Sequence, residues 1–349
     1  MRNGKIGYAV AGLGVGLAHA DAACEYDKCE LVALCDINRD KLLAAGEKYA
    51  GAVCYESFDE LIADPCVDII SICLPSGMHA DFAVRAMEAG KHVLIEKPID
   101  ITVDAAKKVS ECAKRTGKRA GVVFQNRNNA VMKPVKEAVD SGRLGKLILG
   151  TFAVKWYRDD AYYNNGWHGT WSLDGGGSLI NQSIHTLDIM QWLMGDVESV
   201  SSEMGVYGHN IETEDLTASV IKFKSGATAT FVSTTCAHPG VSTEISLYGS
   251  GGTIELDADR LKTFRLRDSY DEEEEEAEMI EAYGNGNGMV SLRDASVICG
   301  HKSVVVDMVN AVLENRDPQI TPDEGIKSVC IINAIYESAR SGKKIYIED

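Results

Sequence analysis

The chain has 349 residues, 45% of them hydrophobic, and its 35 basic and 52 acidic residues give a formal net charge of −17. This length is enough for two globular domains, each with its own core, and the negative field argues against a nucleic acid as partner. No apolar run approaches the ~20 residues that cross a bilayer, and Met1 leads into a strand without a signal-peptide pattern, so we expect a cytoplasmic protein without a membrane partner.

The ten cysteines are scattered along the chain without a C-x-x-C pair. Several lie inside apolar runs, among them Cys35 and Cys73. We therefore expect buried, reduced thiols rather than disulfides or a zinc centre, and the sequence predicts no metal site.

The first chemical signal is a glycine-rich turn. Residues 5–12 predict a buried strand and a helical pattern starts at Leu17, with Gly12, Gly14 and Gly16 at the junction. Such a turn lets a dinucleotide pyrophosphate approach the backbone and the first amides of the helix. The third glycine stands one position earlier than in the usual G-x-G-x-x-G spacing, and a strand-turn-helix unit that binds no ligand is the alternative.

The next predicted strand, residues 30–36, ends in Asp36, roughly 20 residues beyond the glycine turn, where a ribose-binding carboxylate is expected. A carboxylate there accepts hydrogen bonds from the adenosine ribose hydroxyls and repels a 2′-phosphate. The sequence therefore favours NAD over NADP as cofactor, and Arg39 leaves a weaker use of NADP open.

Residues 67–75 and 91–98 predict two further strands, with a helix from His79 to Ala89 between them. Strands that alternate with helices form right-handed parallel crossovers, so we expect a doubly wound sheet that binds its ligands at the C-terminal ends of the strands. Lys97 falls at such an end, although a lysine before proline is ordinarily a solvated loop residue.

After residue 123 the pattern changes to mostly strands. The predicted elements are a helix at 134–141 and strands that include 150–156, 218–223 and 227–232. Ser225-Gly226 suits a hairpin turn. We predict an α/β protein with an N-terminal Rossmann domain, residues 1–123, that holds a doubly wound parallel sheet, and a C-terminal α/β domain, residues 124–349, that holds a large, mostly antiparallel open sheet.

Two segments near the C-terminal third have biased composition. The acidic tract 271–276 predicts a solvated loop or strand edge that discourages aggregation, without a catalytic role. The Asn-Gly-Asn-Gly segment 285–288 predicts a flexible loop, which is either a mobile lid or a disordered loop tip.

The most informative stretch is residues 167–185. It leads from two tryptophans through Gly175-Gly176-Gly177 to Asn181 and His185. Side chains four residues apart share one helix face, so we expect an amide and an imidazole to project together from a surface that the glycines open for close approach.

Five motifs therefore follow one another: the glycine turn, residues 74–79, Glu96-Lys97-Pro98, residues 125–127, and the segment from the three glycines to His185. In this order they resemble the Gfo/Idh/MocA oxidoreductases over essentially the whole chain. The resemblance implies oxidation of sugar, nucleotide-sugar or cyclitol hydroxyls, or reduction of the corresponding carbonyls. It also implies that the open sheet of the second domain mediates oligomerisation, here as a homodimer or homotetramer.

Hydride removal from a secondary alcohol requires a proton acceptor and a hydrogen-bond donor beside the oxygen. By the resemblance, His185 takes or relays the hydroxyl proton and Lys97 hydrogen-bonds the reacting oxygen. Lys97 could instead be the base, and the sequence leaves the two assignments open. For His185 itself the alternative is a buried structural histidine.

One position departs from the family pattern. Many members have an aspartate four residues before the histidine, whereas this chain has Asn181. An amide orients hydroxyls but does not take up a proton, which argues against a lysine-aspartate proton relay. Asp188, one turn beyond His185, either orients the histidine or is exposed.

The predicted site residues form three sets. The catalytic residues are Lys97 and His185. The cofactor-binding residues are Gly12, Leu13, Gly14, Val15, Gly16, Asp36, Ile37, Leu74, Pro75, His79, Glu96, Lys97 and Gln125. The substrate-binding residues are Lys97, Arg127, Arg158, Tyr163, Trp167, His168, Asn181, His185 and His301. Arg127 has a structural salt bridge as its alternative, and Trp167 either stacks on a pyranose or nicotinamide ring or belongs to the core.

We therefore expect an NAD-dependent oxidoreductase that oxidises a ring hydroxyl of a hexopyranoside, uronate or nucleotide sugar to a ketone, with carbon 3 as the favoured position. An alternative within the same fold is an enzyme that oxidises its substrate transiently, cleaves a glycosidic bond by β-elimination and returns the hydride. An alternative of another class is a non-catalytic NAD-binding regulator, against which Lys97 and His185 argue.

Overall fold

A computed structural model describes residues 4–164, 166–241, 243–285 and 297–348, with the side chains of the last range described from Gly300 onward. These residues form two compact units. The first holds the residues up to Gln125 and those from Val297 to Val329, and the second holds the remainder. Within the described ranges, no helix combines the length and the apolar character needed to cross a membrane.

The first unit contains a six-stranded parallel sheet. Its strands are β1 (Ile6–Ala11), β2 (Cys29–Cys35), β3 (Val53–Tyr55), β4 (Ile69–Ile72), β5 (His92–Ile95) and β6 (Ala120–Val122). They lie in the order β3-β2-β1-β4-β5-β6, and every pairing is parallel. β1 and β4 are buried along their whole length, as is typical of strands covered on both faces by helices. The predicted doubly wound sheet is confirmed.

Helices connect these strands. They are α1 (Gly16–Cys24), α2 (Arg39–Lys48), α3 (Phe58–Ala63), α4 (His79–Glu88) and α5 (Val103–Thr116). Asn38 and Thr102 begin α2 and α5, because each side chain accepts a hydrogen bond from a backbone amide three residues further on, at 3.0 and 3.3 Å. Gly117 ends α5 in the left-handed conformation, with φ 67°.

α10 (Val297–Leu313) belongs to the first unit although it follows the second unit in sequence. Val304, Val305 and Met308 lie in the same buried cluster as Ala20 and Ala23 of α1. Burial of this apolar helix face stabilises the packing of α10 within the first unit. This division differs from the predicted one, in which the whole of 124–349 belongs to the second domain.

The second unit contains an eight-stranded sheet. Its strands are β7 (Leu147–Lys155), β8 (Val197–Gly205), β9 (Leu216–Phe223), β10 (Thr228–Thr234), β11 (Thr243–Gly249), β12 (Gly252–Asp257), β13 (Arg260–Leu266) and β14 (Ile345–Tyr346). They lie in the order β13-β12-β11-β7-β10-β9-β8-β14. Only the pairing of β10 with β7 is parallel among these described strands. The predicted, mostly antiparallel sheet is confirmed, as is the hairpin turn at Gly226, which has a φ of 90°.

The helical segments of the second unit lie mainly beside this sheet. They are α6 (Met132–Asp140), α7 (Asp160–Tyr163), a π-helical turn (Ser178–Ser183), α8 (Ile184–Met194) and α9 (Glu272–Tyr283). α11 (Pro322–Ser341) begins in the first unit and ends in the second. α8 packs on β7 and β11.

The acidic tract forms the start of α9, so the predicted loop or strand edge is wrong. Asp271 accepts hydrogen bonds from the amides of Glu273 and Glu274, at 2.9 and 3.1 Å, and begins the helix. Acidic side chains in a first turn interact favourably with the helix dipole. Glu275 also pairs with Arg143 through two 2.8 Å contacts. Of the Asn-Gly segment, residues 286–288 lie outside the described residues.

The cysteines whose side chains are described are free thiols. Cys29, Cys35 and Cys73 are buried, while Cys24 and Cys54 are exposed. Burial raises the pKa of Cys29 and of Cys35 to about 12, so these two thiols stay protonated and behave as small apolar side chains.

Candidate active site

Each glycine of the N-terminal turn has its own structural reason. Gly12 has a φ of 93°, and a Cβ there would lie 2.2 Å from the carbonyl oxygen of Cys73. A Cβ on Gly14 would meet no atom within 4 Å, so the space beside the turn is open. A Cβ on Gly16 would lie 2.7 Å from Cγ1 of Val10. Gly16 therefore allows close packing of helix on strand from a position one residue earlier than the usual spacing.

Asp36, which follows β2, is hydrogen-bonded to this turn. Its Oδ2 atom accepts a hydrogen bond from the amide of Leu13 at 2.8 Å, and its Oδ1 atom accepts one from the amide of Asn38 at 2.8 Å. Leu13 is buried, whereas Val15 and Ile37 are exposed. The carboxylate thus lies beside the glycine turn, where an acceptor for ribose hydroxyls is needed.

Three observations in the first unit fit a bound dinucleotide. The open space at Gly14 gives room beside the backbone, and α1 begins at Gly16 and presents the amides of its first turn there. The Oε1 atom of Gln125 is buried and accepts no hydrogen bond from the residues that the structure describes. A buried acceptor of this kind requires a donor from a ligand or from water.

His79 connects the ends of two central strands. Its Nδ1 atom lies 2.6 Å from the carbonyl oxygen of Pro98, and its Nε2 atom lies 2.7 Å from that of Leu74. The residue is 1% exposed. Leu74 and Pro75 follow β4, and Pro98 follows β5, so the ring holds together the two loops that bear predicted cofactor-binding residues. Direct contact between His79 and the cofactor stays a prediction.

Lys97 is the partly accessible residue of an otherwise buried stretch from Val93 to Asp100. Its backbone amide donates to Oε2 of Glu96 at 3.1 Å. The Oε1 atom of Glu96 lies 3.0 Å from Nε2 of His19 and 3.2 Å from Nε2 of His301. Burial alone would raise the pKa of Glu96, but the hydrogen bonds that it accepts from the two histidines hold it well below its usual range. An ionised Glu96 thus fixes the backbone at Lys97.

The network continues behind His19. Its Nδ1 atom lies 2.9 Å from Oγ of Ser71, which is 2.6 Å from the hydroxyl of Tyr8. Because Nε2 donates to Glu96, Nδ1 of the neutral ring accepts from Ser71, and burial lowers the pKa of His19. The ligand-type atoms of His19, Glu96 and His301 lie within 4.8 Å of one another, yet each already takes part in these hydrogen bonds.

His301, predicted to bind substrate, is 2% exposed and belongs to this buried network. Its described contacts are with Glu96 and with the ring of His19, whose centroid lies 5.1 Å away, both in the same unit. The substrate-binding role stays a prediction, and sequence reasoning missed the contact itself, as it missed His19, Ser71 and Tyr8.

In the second unit, the triple-glycine segment packs around the carboxylate of Glu214. A Cβ on Gly176 would lie 2.0 Å from the hydroxyl of Tyr336, and one on Gly177 would lie 1.8 Å from the carbonyl oxygen of Glu214. The Glu214 carboxylate accepts the amides of Gly177 and Ser178, both at 3.0 Å, and the Tyr336 hydroxyl at 2.6 Å. These glycines therefore make room for the protein's own groups, and the prediction that they open the surface for a ligand is wrong.

The Glu214 carboxylate also caps the N-terminus of the helical segment that contains the predicted catalytic histidine. It is fully buried, and burial raises its pKa although five hydrogen-bond donors surround it. Between Ser178 and Met194, only Asn181, His185 and Trp192 are not fully buried. The π-helical turn and α8 thus present an amide and an imidazole, four residues apart, on one accessible strip.

A chain of hydrogen bonds runs from Arg158 to Asp174. The guanidinium donates to Oε1 of Gln182, whose amide nitrogen donates to the hydroxyl of Tyr162 at 2.7 Å. That hydroxyl donates to Oδ1 of Asn181 at 3.3 Å, and Nδ2 of Asn181 donates to Asp174 at 2.5 Å. We call these five residues the Arg158 chain. It fixes the orientation of the Asn181 amide, and sequence reasoning missed Tyr162, Gln182 and Asp174.

The remaining aromatic candidates surround the Arg158 chain. The His168 ring stacks on Tyr162, with ring centroids 4.2 Å apart and planes 8° from parallel. Trp167 lies against His168 at 3.8 Å and is partly exposed. The hydroxyl of Tyr163 pairs with Thr235 at 2.8 Å, and burial raises the pKa of Tyr163 to about 12. The structure thus brings Tyr163, Trp167 and His168 together with Arg158 and Asn181.

Arg127 forms a buried salt bridge with Asp188. The Nε and Nη2 atoms donate to the two carboxylate oxygens, each at 2.7 Å, and both side chains are nearly inaccessible. The guanidinium also lies 5.2 Å from the centre of the Trp192 ring. The structure therefore supports the salt-bridge alternative for Arg127, and it places Asp188 inside the unit rather than on its surface.

Comparison with known proteins agrees with this arrangement. Residues 6–124 match the model of an oxidoreductase family with an NAD-binding Rossmann fold, and residues 132–255 match the Gfo/Idh/MocA C-terminal domain model.

Individual relatives are enzymes of sugars and cyclitols. Myo-inositol 2-dehydrogenase of Thermotoga maritima is 29% identical over 272 residues, 74% of this chain and 77% of that one. D-glucoside 3-dehydrogenase of Escherichia coli K12 is 30% identical over 177 residues, 51% of this chain and 50% of that one. The crystal structure of the WlbA dehydrogenase from Bordetella pertussis, in complex with NADH and UDP-GlcNAcA, has a TM-score of 0.91 at 28% identity and covers 100% of this chain and 99% of that one.

Proposed function

Because the chain belongs to the Gfo/Idh/MocA family of oxidoreductases, we propose that it oxidises a ring hydroxyl of a hexopyranoside, uronate or nucleotide sugar to a ketone, with carbon 3 as the expected position. The protein is an NAD-dependent dehydrogenase that acts on CH–OH groups. Relatives named for an inositol and a glucoside, and a similar structure that holds a nucleotide sugar, support a cyclic polyol as substrate.

The observation that carries the proposal is the setting of Lys97. It is the accessible residue of a buried stretch at the C-terminal end of β5, in the same sheet whose β1 leads into the glycine turn. Ligands of doubly wound sheets bind at these strand ends. An ionised Glu96, held by two histidines, fixes the backbone there. A cation placed in this way suits an oxygen that gains negative charge during reaction.

The chemistry divides between the cofactor and two side chains. The glycine turn, Asp36 and Gln125 would hold NAD, which supplies the acceptor for the hydride when it is bound. The hydroxyl proton must leave as the carbonyl forms, and we assign its acceptance to the imidazole of His185. Lys97 donates a hydrogen bond to the same oxygen. Asn181, held in one orientation by Tyr162 and Asp174, positions the substrate but takes up no proton.

The test is NADH formation by the purified protein with NAD and a panel of free hexoses, inositols, uronates, glycosides and nucleotide sugars. The proposal expects NADH to accumulate with one sugar class. Cleavage of a glycoside without any accumulation of NADH would contradict it and would indicate transient oxidation with return of the hydride.

We also propose that the second unit forms a homodimer or homotetramer through the open face of its sheet. Phe152 and Phe231 point to the face that is fully buried, whereas Leu149 and Val220, which lie on the opposite face by register, are 38% and 52% exposed. Exposed apolar residues on a broad sheet face are typical of protein interfaces. Sedimentation as a monomer at micromolar concentration would contradict this.

A further inference from the structure

Arg158 is a buried cation without a carboxylate partner among the described residues. It is 8% exposed. Its guanidinium donates to Oε1 of Gln182 and, at 3.2 Å, to the carbonyl oxygen of Tyr157. The neighbouring acid, Asp159, instead accepts the amide of Tyr162 at 3.0 Å. A guanidinium carries five N–H groups and stays charged in proteins, so its direct acceptors here are neutral and Asp159 acts on its charge only through space.

The other buried arginine of the described residues shows the contrast. The Nε and Nη2 atoms of Arg127 both donate hydrogen bonds to the carboxylate of Asp188. More exposed arginines of the same unit also have acidic partners, as in the pairs Arg143–Glu275 and Arg265–Glu276. Burying a charge without a counter-charge is costly. Arg158 is therefore unusual, because it is buried without the direct carboxylate partner that a buried arginine ordinarily has.

The side chain is also held in advance of any ligand. The amide of Arg158 donates to the carbonyl oxygen of Thr235 at 3.0 Å, and Nε2 of His209 lies 2.9 Å from the carbonyl oxygen of Arg158. Its guanidinium carbon lies 5.3 Å from the centre of the Trp156 ring and 5.2 Å from that of Tyr162. Aromatic faces stabilise a cation but do not neutralise it.

Arg158 is linked to the predicted substrate-binding strip within its own unit. Through Gln182 and Tyr162 it connects with Asn181, which lies four residues before His185 on the accessible strip. Resting on the function proposed above, we propose that Arg158 binds an anionic group of the substrate, so that the preferred substrate is a sugar bearing a carboxylate or a phosphate. The planar guanidinium matches the paired oxygens of either group.

Matched substrates test the inference. A methyl glucuronide and the corresponding methyl glucoside differ only by the carboxylate, and a hexose 1-phosphate and the free hexose differ only by the phosphate. The wild-type protein is expected to favour one anionic member over its neutral counterpart in kcat/KM by about 100-fold, the loss typical when a buried charge is left without its partner. The pair that shows the preference identifies the source of the anion.

Variants assign the preference to the residue. Arg158→Gln is expected to lower the ratio of kcat/KM for the anionic member to kcat/KM for the neutral member from about 100 to about 1. Arg158→Lys keeps the positive charge but lacks the planar guanidinium with its paired donors. It is expected to restore part of the preference for the anionic member. Arg340→Gln is the control, because that arginine lies on a Trp171 ring face in the same unit.

Binding measured without turnover separates this inference from the function it rests on. The anionic member is expected to raise the thermal midpoint of the NAD-loaded wild-type protein but not of Arg158→Gln, and the neutral member to raise neither. This pattern without NADH formation would refute the dehydrogenase and leave the anion site standing. Equal use of both members by the wild type would overturn the anion site and leave the dehydrogenase standing. If Arg158→Gln does not fold, the wild-type protein alone provides the test. Equal shifts of its thermal midpoint with the anionic and the neutral member would overturn the anion site.

Discussion

The side-chain amide of Asn181 donates a hydrogen bond to the carboxylate of Asp174, and this contact gives a structural reason for an amide at position 181. Asp174 is 1% exposed and also accepts the amide of Gly169 at 2.9 Å. An aspartate at 181 would put two carboxylates in direct contact, so the pair would have to share a proton.

Asn181→Asp is therefore expected to destabilise the protein by about 1–3 kcal/mol near neutral pH, the cost of a buried polar contact left unsatisfied. The shared proton raises the pKa of the pair in the folded state, so the loss is greatest at high pH and shrinks as the pH falls. Denaturant unfolding at several pH values measures it, with Asn210→Asp, an exposed position, as control. A stability equal to that of the wild type at high pH would refute the contact.

The two glycines at the start of α1 are expected to respond differently to alanine. Gly16→Ala forces a Cβ to 2.7 Å from Val10 and should lower the free energy of unfolding by about 1–3 kcal/mol. Gly14→Ala meets no protein atom within 4 Å and should leave stability unchanged while weakening NAD binding by about tenfold or more, since the added methyl occupies the open space beside the turn. Unfolding and NAD titration of both variants test this, and equal effects on stability would contradict it.

The Arg127–Asp188 pair is expected to contribute to stability rather than to substrate binding. Arg127→Met leaves a buried carboxylate alone and should cost about 3–5 kcal/mol, whereas replacing both partners by apolar residues should recover much of that loss. Arg267→Met, at an exposed position, serves as the control in denaturant unfolding. A stable Arg127→Met protein with a raised KM for substrate would instead indicate the ligand-binding role.

Acid is expected to destabilise the first unit through the half-buried His92. Burial lowers the pKa of His92 to about 4, from an ordinary value of about 6.5, and its Nδ1 atom accepts the amide of Arg119 at 2.9 Å. Because the folded pKa is depressed, the stability that neutral His92 contributes is complete above pH ~6.5 and is lost as the pH falls toward 4. Glu96, whose pKa is also depressed, adds a loss in the same direction at lower pH.

His92→Asn keeps an acceptor for Arg119 and removes the titration. Its free energy of unfolding should fall less steeply between pH 6.5 and 4, by up to about 1.4 kcal/mol per pH unit for one proton. His238→Asn, at an exposed position, is the control. Identical slopes for His92→Asn and the wild type would contradict the argument.

The sequence predicted the elements whose signals are local. The buried strands, the glycine turn and the acid at the end of β2 follow from periodicity and spacing, whereas the role of Lys97 rests on the family resemblance and stays a prediction. α9 was mispredicted because the run of acidic residues was interpreted as a solvated loop or strand edge. Asp271 is a favourable N-cap, and the glutamates that follow it have a high helix propensity.

Contacts between distant parts of the chain had no local signal. Glu96 lies 77 residues from His19 and 205 from His301, and Glu214 begins a helix that lies 36 residues earlier. The expected role of the glycines failed for the same reason, since the groups that need the space, Glu214 and Tyr336, are remote in sequence. Buried polar groups choose partners by the packing of the whole unit.

The most direct test of the central claim is single-turnover NADH formation by Lys97→Met and His185→Gln with a substrate found in the panel, beside NAD binding measured separately. Lys107→Met, at an exposed position of the first unit, and His238→Gln, in the second, are the matched controls. We predict that each catalytic variant loses about 10²–10⁴-fold in rate and that His185→Gln keeps its NAD affinity, while the controls keep both rate and affinity. Rates of Lys97→Met and His185→Gln within a few-fold of the wild type would contradict the assignment of the catalytic residues.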